Sequence, residues 1–336
     1  MNLFEPWIFL RLVVGLGAAL LFLRSAYTAV RVLRRFDVAR ASEGQLVLEK
    51  NLQLTSTLVR VALVLQVVGL ALSALAAERM RHEIRGAMCG YGVFAANAYG
   101  FPALGLTVAT ALAAGVAAQV YALDARMRDM SLARPIAVAT LVLAGLSLAD
   151  FVATATFLSK LDLSVVATCC SVELDTRVST ASGYVDGPHA LMRIVAPVAM
   201  LAAALTSALA ARRPRRSTGF FAGAVTFAAF PIAIAFAILE TAPHTFEVPQ
   251  HTCPFCLLKG DALGLGYFLF GALFVAFVWA VGAGVGALLA GDREEWGVFA
   301  KQRLRRDAVA WLVALALGIA PVIRYAWVSG GHLLTH

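Results

Sequence analysis

Eight long runs of apolar residues, separated by short polar segments, occupy most of the chain. Each run is close to the ~20 residues that a helix rising about 1.5 Å per residue needs to cross a bilayer core. The runs are continuous rather than alternating, which is typical of helices and not of strands. The pattern predicts an all-α polytopic integral membrane bundle of about eight transmembrane helices, forming a single domain over residues 1–336. The predicted spans are Trp7–Val30, Thr55–Ala76, Phe101–Leu123, Pro135–Leu158, Ala190–Ala211, Thr218–Leu239, Leu263–Ala290 and Ala308–Val328.

Two further features of the pattern concern individual spans. The longest run carries Gly282 and Gly286 at the spacing that lets two helices approach closely, so we predict a packing contact there. Before the second span, Ser42 and Gln45 resemble a helix-capping box, and the leucines that follow lead directly into the span. This segment predicts an amphipathic extension of the second helix.

Composition supports the membrane assignment. Hydrophobic residues make up 60% of the chain and charged residues 14%, whereas soluble domains are about half apolar and a quarter charged. The net charge of +8 comes from short basic clusters between the apolar runs, so we predict no nucleic-acid partner. The first run is long enough to span and no basic region precedes it, so we expect a membrane helix rather than a cleaved signal peptide.

Lysine and arginine are unequally distributed among the connections between spans. Seventeen lie in the first, third, fifth and seventh connections, and six lie in the second, fourth and sixth. The positive-inside rule places the odd-numbered connections in the cytoplasm and both termini on the non-cytoplasmic side. We therefore expect a multi-pass protein of the bacterial inner membrane, with the lipid bilayer as its surroundings.

All cysteines and histidines fall on the non-cytoplasmic side of this topology, although none was used to assign it. The cysteines lie in the second, fourth and sixth connections and are Cys89, Cys169, Cys170, Cys253 and Cys256. The histidines share these connections and the C-terminal tail and are His82, His189, His244, His251, His332 and His336. This one-sided distribution indicates a shared site on the outer face.

The sixth connection carries the most informative motif, a Cys-Pro-Phe-Cys unit from Cys253 to Cys256. If Cys256 begins a helical turn, the helix N-terminus lowers the pKa of its thiol and favours disulfide exchange. With His251 two residues upstream, the same unit also suits a soft or borderline metal such as Cu(I) or Zn(II). The spacing alone does not separate these two chemistries.

The other three cysteines fit both chemistries. Adjacent cysteines such as Cys169 and Cys170 pair with each other only in a strained ring, so we expect them to bond elsewhere or to share a metal. Cys89 is flanked by glycines, among them Gly86 and Gly90, which allow its backbone to pass close to another loop or a ligand.

Four functional hypotheses follow. In a redox protein, Cys253 or Cys256 exchanges disulfides with a periplasmic thioredoxin-like protein while Cys89, Cys169 and Cys170 relay electrons. In a copper-handling protein, the ion passes to or from a metal-chaperone protein. The third hypothesis is an anchor or assembly subunit that holds other membrane subunits and whose loops are braced by disulfides. The fourth is a transporter, although the sequence shows no inverted repeat that would support it. The ligands in the copper hypothesis are His251, Cys253, Cys256, Cys169 and Cys170.

Ionisable side chains inside the spans are costly and usually face a cavity or a partner. Asp150 is the deepest carboxylate, and we predict that it forms a buried ion pair with Arg324 or Arg193. Alternatively, a polar chamber below the cysteine loops binds a quinone headgroup that accepts electrons from a dithiol. That arrangement is similar to quinone-coupled disulfide-forming membrane enzymes, but only by analogy, since this chain has twice their usual number of spans. The cofactor-binding residues in this alternative are Arg11, Asp150, Arg193 and Arg324.

Overall fold

A computed structural model of the protein describes residues 6–36, 43–127, 131–161, 189–249, 251–291 and 293–335. These ranges contain helices and no strand, which confirms the all-α fold. The helices are α1 Pro6–Arg35, α2 Glu43–Met80, α3 Gly90–Ala95, α4 Gly100–Asp124, α5 Ala133–Ser159, α6 His189–Arg212, α7 Arg216–Phe236, α8 Ala242–Phe246, α9 Leu265–Ala290 and α10 Glu294–Val328. A π-helical turn at Ala237–Thr241 joins α7 to α8.

Within the described ranges, eight helical segments are long and apolar enough to span a bilayer, with α7, the π-helical turn and α8 counting as one. Helix α2 begins at Glu43, which confirms the predicted extension of the second span. Helix α10 has 35 residues and begins well before the predicted span at Ala308. Its first part was missed because it is amphipathic, with buried Trp296 and Phe299 among charged neighbours.

The spanning helices form two four-helix bundles with the same cyclic order. In the first bundle, α1 and α4 both contact α2 and α5. In the second, α6 and α9 both contact α7 and α10. Each bundle therefore uses four successive spans.

Contacts between helix ends define the two ends of the molecule. Arg11 near the start of α1 contacts Ser73 near the end of α2, and His189 at the start of α6 contacts Glu240 after α7. These residues lie at the end that also contains Cys89, which we call the cysteine end. The opposite end, with the turn between α9 and α10, is the basic end. The predicted cytoplasmic location of the basic end remains a prediction.

Small residues on α4 and α9 hold the two bundles together. A Cβ atom added at Gly282 would lie 2.6 Å from Cβ of Gln119, and one added at Gly115 would lie 2.4 Å from Cγ2 of Val278. At Gly286 an added Cβ would lie 3.1 Å from a side chain of α4. The helices thus approach too closely for larger residues, which confirms the predicted packing role of Gly282 and Gly286.

The contact between α4 and α9 brings two distant loops together at the cysteine end. The two helices run parallel, because Gly115 meets Val278 and Gln119 meets Gly282. Residues 81–99 lead into α4 and residues 247–264 lead into α9, so both loops lie at the same end of this helix pair. The loops touch, because a Cβ added at Gly90 would lie 3.0 Å from Cδ1 of Phe255. The predicted close passage of the backbone beside Cys89 is therefore confirmed.

Replacing Gly282 with leucine should lower the free energy of unfolding by about 1–3 kcal/mol, because the new side chain overpacks the α4–α9 contact. Gly271→Leu, in the same helix, is the matched control, since a Cβ added there meets no atom within 4 Å. Thermal unfolding of the two purified variants in detergent measures the loss of stability of each. An equal loss at the two positions would contradict the assigned role of Gly282.

Candidate functional site

The Cys-Pro-Phe-Cys unit forms a tight turn at the cysteine end. The N–H of Cys256 donates to the carbonyl of Cys253 at 3.3 Å, and the N–H of Leu258 donates to the carbonyl of Phe255 at 3.1 Å. Pro254 suits the first central position of this turn, because its ring fixes φ and the turn does not need its missing N–H. A three-residue 3₁₀ helix follows from Cys256 to Leu258.

Three thiols converge beside this turn. The sulfurs of Cys89, Cys253 and Cys256 all lie within 4.8 Å of one another. Sγ of Cys89 is 3.4 Å from Sγ of Cys253, far beyond the ~2.05 Å of a disulfide bond, so these two sulfurs are in contact but not bonded to each other. The residues are 0%, 1% and 5% exposed, in chain order. Tyr91, Phe246 and Phe255 pack against the three cysteines, so the centre is shielded from water.

Cys256 begins the 3₁₀ helix, yet its thiol is not acidified. Its hydrogen bond with Cys253 favours the thiolate, but a hydrogen bond with Cys89, burial and the Cys89 charge together outweigh this and raise the pKa of Cys256 to about 12. The predicted lowering of its pKa by a helix N-terminus is therefore wrong. A helix of three residues carries little dipole, and the sulfur is buried beside another sulfur.

His251 lies at the border of the three-thiol group. Its ring packs against Phe246 with a centroid distance of 4.5 Å. Its Nε2 atom is buried and has no hydrogen-bond partner among the described residues. Burial lowers the pKa of His251 despite an opposing effect of Cys89, which favours the neutral ring that binds metals. His251 is outside the group of ligand atoms that lie mutually within 4.8 Å.

Cys169 and Cys170 lie outside the described residues. Their predicted parts in an electron relay or in a metal ligand set therefore stay predictions. Among the described residues, the centre contains three of the five cysteines, which come from the second and sixth connections.

A buried ion pair lies at the centre of the first bundle. Nη2 of Arg11 donates to both carboxylate oxygens of Asp150, at 3.1 and 3.0 Å. Nε2 of Gln66 donates to Asp150 at 2.8 Å, and the hydroxyl of Thr107 donates to the other carboxylate oxygen. Nε of Arg11 donates to Ser73 at 2.7 Å. All four spanning helices of the bundle thus contribute to one hydrogen-bonded network, which is how a buried pair offsets its desolvation.

The predicted partners of Asp150, Arg324 and Arg193, are wrong. Both arginines belong to the second bundle, and the sequence does not show which helices are neighbours. Nη2 of Arg324 lies 3.5 Å from the carboxylate of Glu247, with both side chains exposed, and Arg193 donates to the carbonyl of Thr335. The four residues of the predicted quinone chamber therefore occupy three different environments.

A small cavity lies between the ion pair and the cysteine loops. Arg11, Thr107 and Thr154 are among its polar lining residues, and Phe94 and Phe157 are among its apolar walls. Its volume of about 30 Å³ leaves room for one or two water molecules. In this conformation the cavity does not admit a quinone ring, and the polar groups beside it bind one another.

One of the buried carboxylates of the second bundle is Glu240, in the π-helical turn. Its carboxylate lies 3.0 Å from Nδ1 of His189 and accepts a hydrogen bond from the hydroxyl of Thr335 at 2.8 Å. Nδ1 of His244 lies 2.7 Å from the carbonyl of Glu240, and Nε2 of His244 accepts from the N–H of Leu334 at 3.3 Å. The segment after α10 thus closes this second polar centre, which the sequence did not predict.

Lone polar residues inside apolar runs were the only sequence signal for these networks. Gln66 was the most informative of them, because an amide in the middle of a span needs a partner. Thr107 and Ser73 gave a weaker signal, since hydroxyls in helices also bond their own backbone. The π-helical turn around Glu240 has no sequence signature comparable to a proline or a glycine pair.

Replacing Asp150 with leucine should lower the free energy of unfolding by about 3–5 kcal/mol, because Arg11 is left charged and unpaired in the bundle. The double variant Arg11→Leu/Asp150→Leu should recover most of this loss. Glu247→Gln, which breaks the exposed pair with Arg324, is the control and should cost roughly 0–1 kcal/mol. Unfolding midpoints in detergent distinguish the three variants. A double variant that is no more stable than Asp150→Leu would contradict the assigned ion pair between Arg11 and Asp150.

Comparisons with protein-family models, with curated proteins and with solved structures found no match to this chain. The functional interpretation therefore depends on the geometry of the chain's own residues.

Proposed function

We propose that this membrane protein handles a soft metal ion, Cu(I) in the first place, at Cys89, Cys253 and Cys256. The observation that carries the proposal is the convergence of three buried sulfurs within 4.8 Å of one another. Thiolates favour soft ions such as Cu(I) over hard ones, and Zn(II) is the main competitor. His251 is the fourth candidate ligand, because its buried Nε2 atom has no hydrogen-bond partner among the described residues.

Burial of the thiols supports metal binding over direct disulfide exchange. Exchange needs a thiolate that a partner protein can reach, whereas these cysteines are at most 5% exposed and the pKa of Cys256 is about 12. A metal ion displaces the thiol protons and compensates the charge that burial disfavours. Lys259 adds a positive charge that favours the thiolate of Cys256.

The location of the centre suggests how the ion is exchanged. Both loops that form it lie at the cysteine end, and the distribution of basic residues supports a periplasmic location of this end in a bacterial inner membrane. A periplasmic metal-chaperone protein that offers its own soft ligands would then receive the ion or deliver it. Tyr91, Phe246 and Phe255 pack against the cysteines, so transfer requires movement among these three side chains.

Thiol–disulfide chemistry is the second candidate, favoured by the 3.4 Å contact between the sulfurs of Cys89 and Cys253. In this function two thiols form one disulfide and release two protons and two electrons. A quinone accepts both and becomes a quinol, or a thioredoxin-like disulfide accepts them and becomes a dithiol. The small cavity beside Arg11 and the internally satisfied ion pair give the quinone version less support than the metal site has.

Reduced, purified protein should bind one Cu(I) ion per chain, and Cys253→Ser should weaken this binding by more than the roughly 10- to 100-fold typical of outer-shell changes. Competition with a chromogenic Cu(I) chelator measures the affinity. The double variant Cys169→Ser/Cys170→Ser is the matched control, because it removes two cysteines and leaves the three-thiol centre intact; it should retain the ion.

Two results would overturn the metal site. One is unchanged copper affinity in Cys253→Ser. The other is a protein that binds no Cu(I) or Zn(II) when fully reduced, and that carries a Cys89–Cys253 or Cys253–Cys256 disulfide when isolated under thiol-blocking conditions. The latter result would favour the redox candidate.

Copper binding should release protons and strengthen with rising pH. Cys256 is protonated at neutral pH because its pKa is about 12, so the ion must displace that proton, and the apparent affinity should rise about tenfold per pH unit for each proton released. The neutral ring of His251 contributes none. Calorimetry in two buffers with different protonation enthalpies counts the protons, and binding without proton release would contradict a thiolate site.

A further inference from the structure

A groove between α9 and α10 opens onto the outer surface of the second bundle towards the basic end. It has a volume of about 720 Å³. The α10 side carries Lys301, Arg305 and Arg306, all exposed, and Trp279 of α9 faces them across the groove. None of the described side chains that line it is acidic.

Beyond Val298, which is 62% exposed, the lining of the groove changes from cationic to apolar along α10. Val309 and Val313 follow the three cations on the same wall and are 57% and 45% exposed. Val275 of α9 lies opposite. From Lys301 to Val313 the helix rises about 18 Å. The groove therefore has a basic part nearer the basic end and an apolar part nearer the cysteine end.

This change coincides with the predicted start of the last span. The apolar run of that span begins at Ala308, so the valines lie within the run and the three cations precede it. Trp279 is at about the depth of Arg305 on the antiparallel neighbour α9 and lines the groove together with the cations. A ligand that fills the groove must therefore have an anionic group beside the three cations and an apolar part beside the valines.

We propose that this groove is a binding site for an anionic phospholipid. The headgroup phosphate contacts Lys301, Arg305 and Arg306, and an acyl chain covers Val309 and Val313. Basic pockets between transmembrane helices bind such headgroups. A free phosphate would leave the valines uncovered, and a zwitterionic lipid would leave the positive charge uncompensated. Under the orientation given above, the lipid belongs to the cytoplasmic leaflet. The site shares no residue with the cysteine centre and does not depend on the proposed metal function.

Purified full-length protein in neutral detergent is titrated with phosphatidylglycerol or phosphatidylcholine of the same acyl chains, and retained lipid is counted by native mass spectrometry. Phosphatidylglycerol should bind more tightly, and Lys301→Gln/Arg305→Gln/Arg306→Gln should weaken it by roughly fivefold per cation, on the order of a hundredfold in all. The matched control Arg34→Gln/Arg35→Gln/Lys50→Gln removes three exposed cations elsewhere at the basic end and should leave the affinity unchanged.

Fluorescence gives a second measurement that does not depend on retained mass. Phosphatidylglycerol brominated on its acyl chains should quench tryptophan emission, and Trp279→Phe should remove the saturable part of this quenching. The proposal is overturned if the triple variant binds phosphatidylglycerol as tightly as the unmodified chain, or if the control variant loses as much affinity. Inorganic phosphate that displaces the lipid at equal concentration would also overturn it, since the site would then bind an ion only.

Discussion

The close contact between α4 and α9 is the constraint on which the rest of this structure depends. Each of these helices is the third span of a four-helix bundle, and each is preceded by the loop that carries cysteines. Because Gly115 and Gly282 allow the two helices to approach, the loops meet at one end and three sulfurs converge there. The cysteine centre therefore depends on glycines that lie well inside the membrane-spanning helices.

The two bundles compensate a buried carboxylate with different partners. In the first, Arg11 and Asp150 neutralise each other, and hydroxyl and amide groups from neighbouring helices complete their hydrogen bonds. In the second, Glu240 is met by His189 and by Thr335 from the segment after α10. In both networks the carboxylate receives its hydrogen bonds from within the protein, as burial in a lipid environment favours.

The sequence predicted the helical fold, the number of spans and the packing of Gly282, because these follow from local composition and spacing. It also singled out Cys89, Cys253 and Cys256, although it did not separate them from Cys169 and Cys170. It failed where the answer depended on which helices are neighbours, so Asp150 was paired with Arg324 or Arg193 instead of Arg11. It also failed for the pKa of Cys256, because burial beside Cys89 is a tertiary effect.

The segment that closes the centre at Glu240 has a consequence for the order in which the chain assembles. The partners Arg11 and Asp150 are both present once the fourth span has been synthesised, so the first bundle is able to complete its polar network early. Thr335, which donates a hydrogen bond to Glu240, follows all eight spans in the chain and is synthesised after them. During biosynthesis the second bundle therefore passes through a stage in which the carboxylate of Glu240 lacks one of its hydrogen-bond donors.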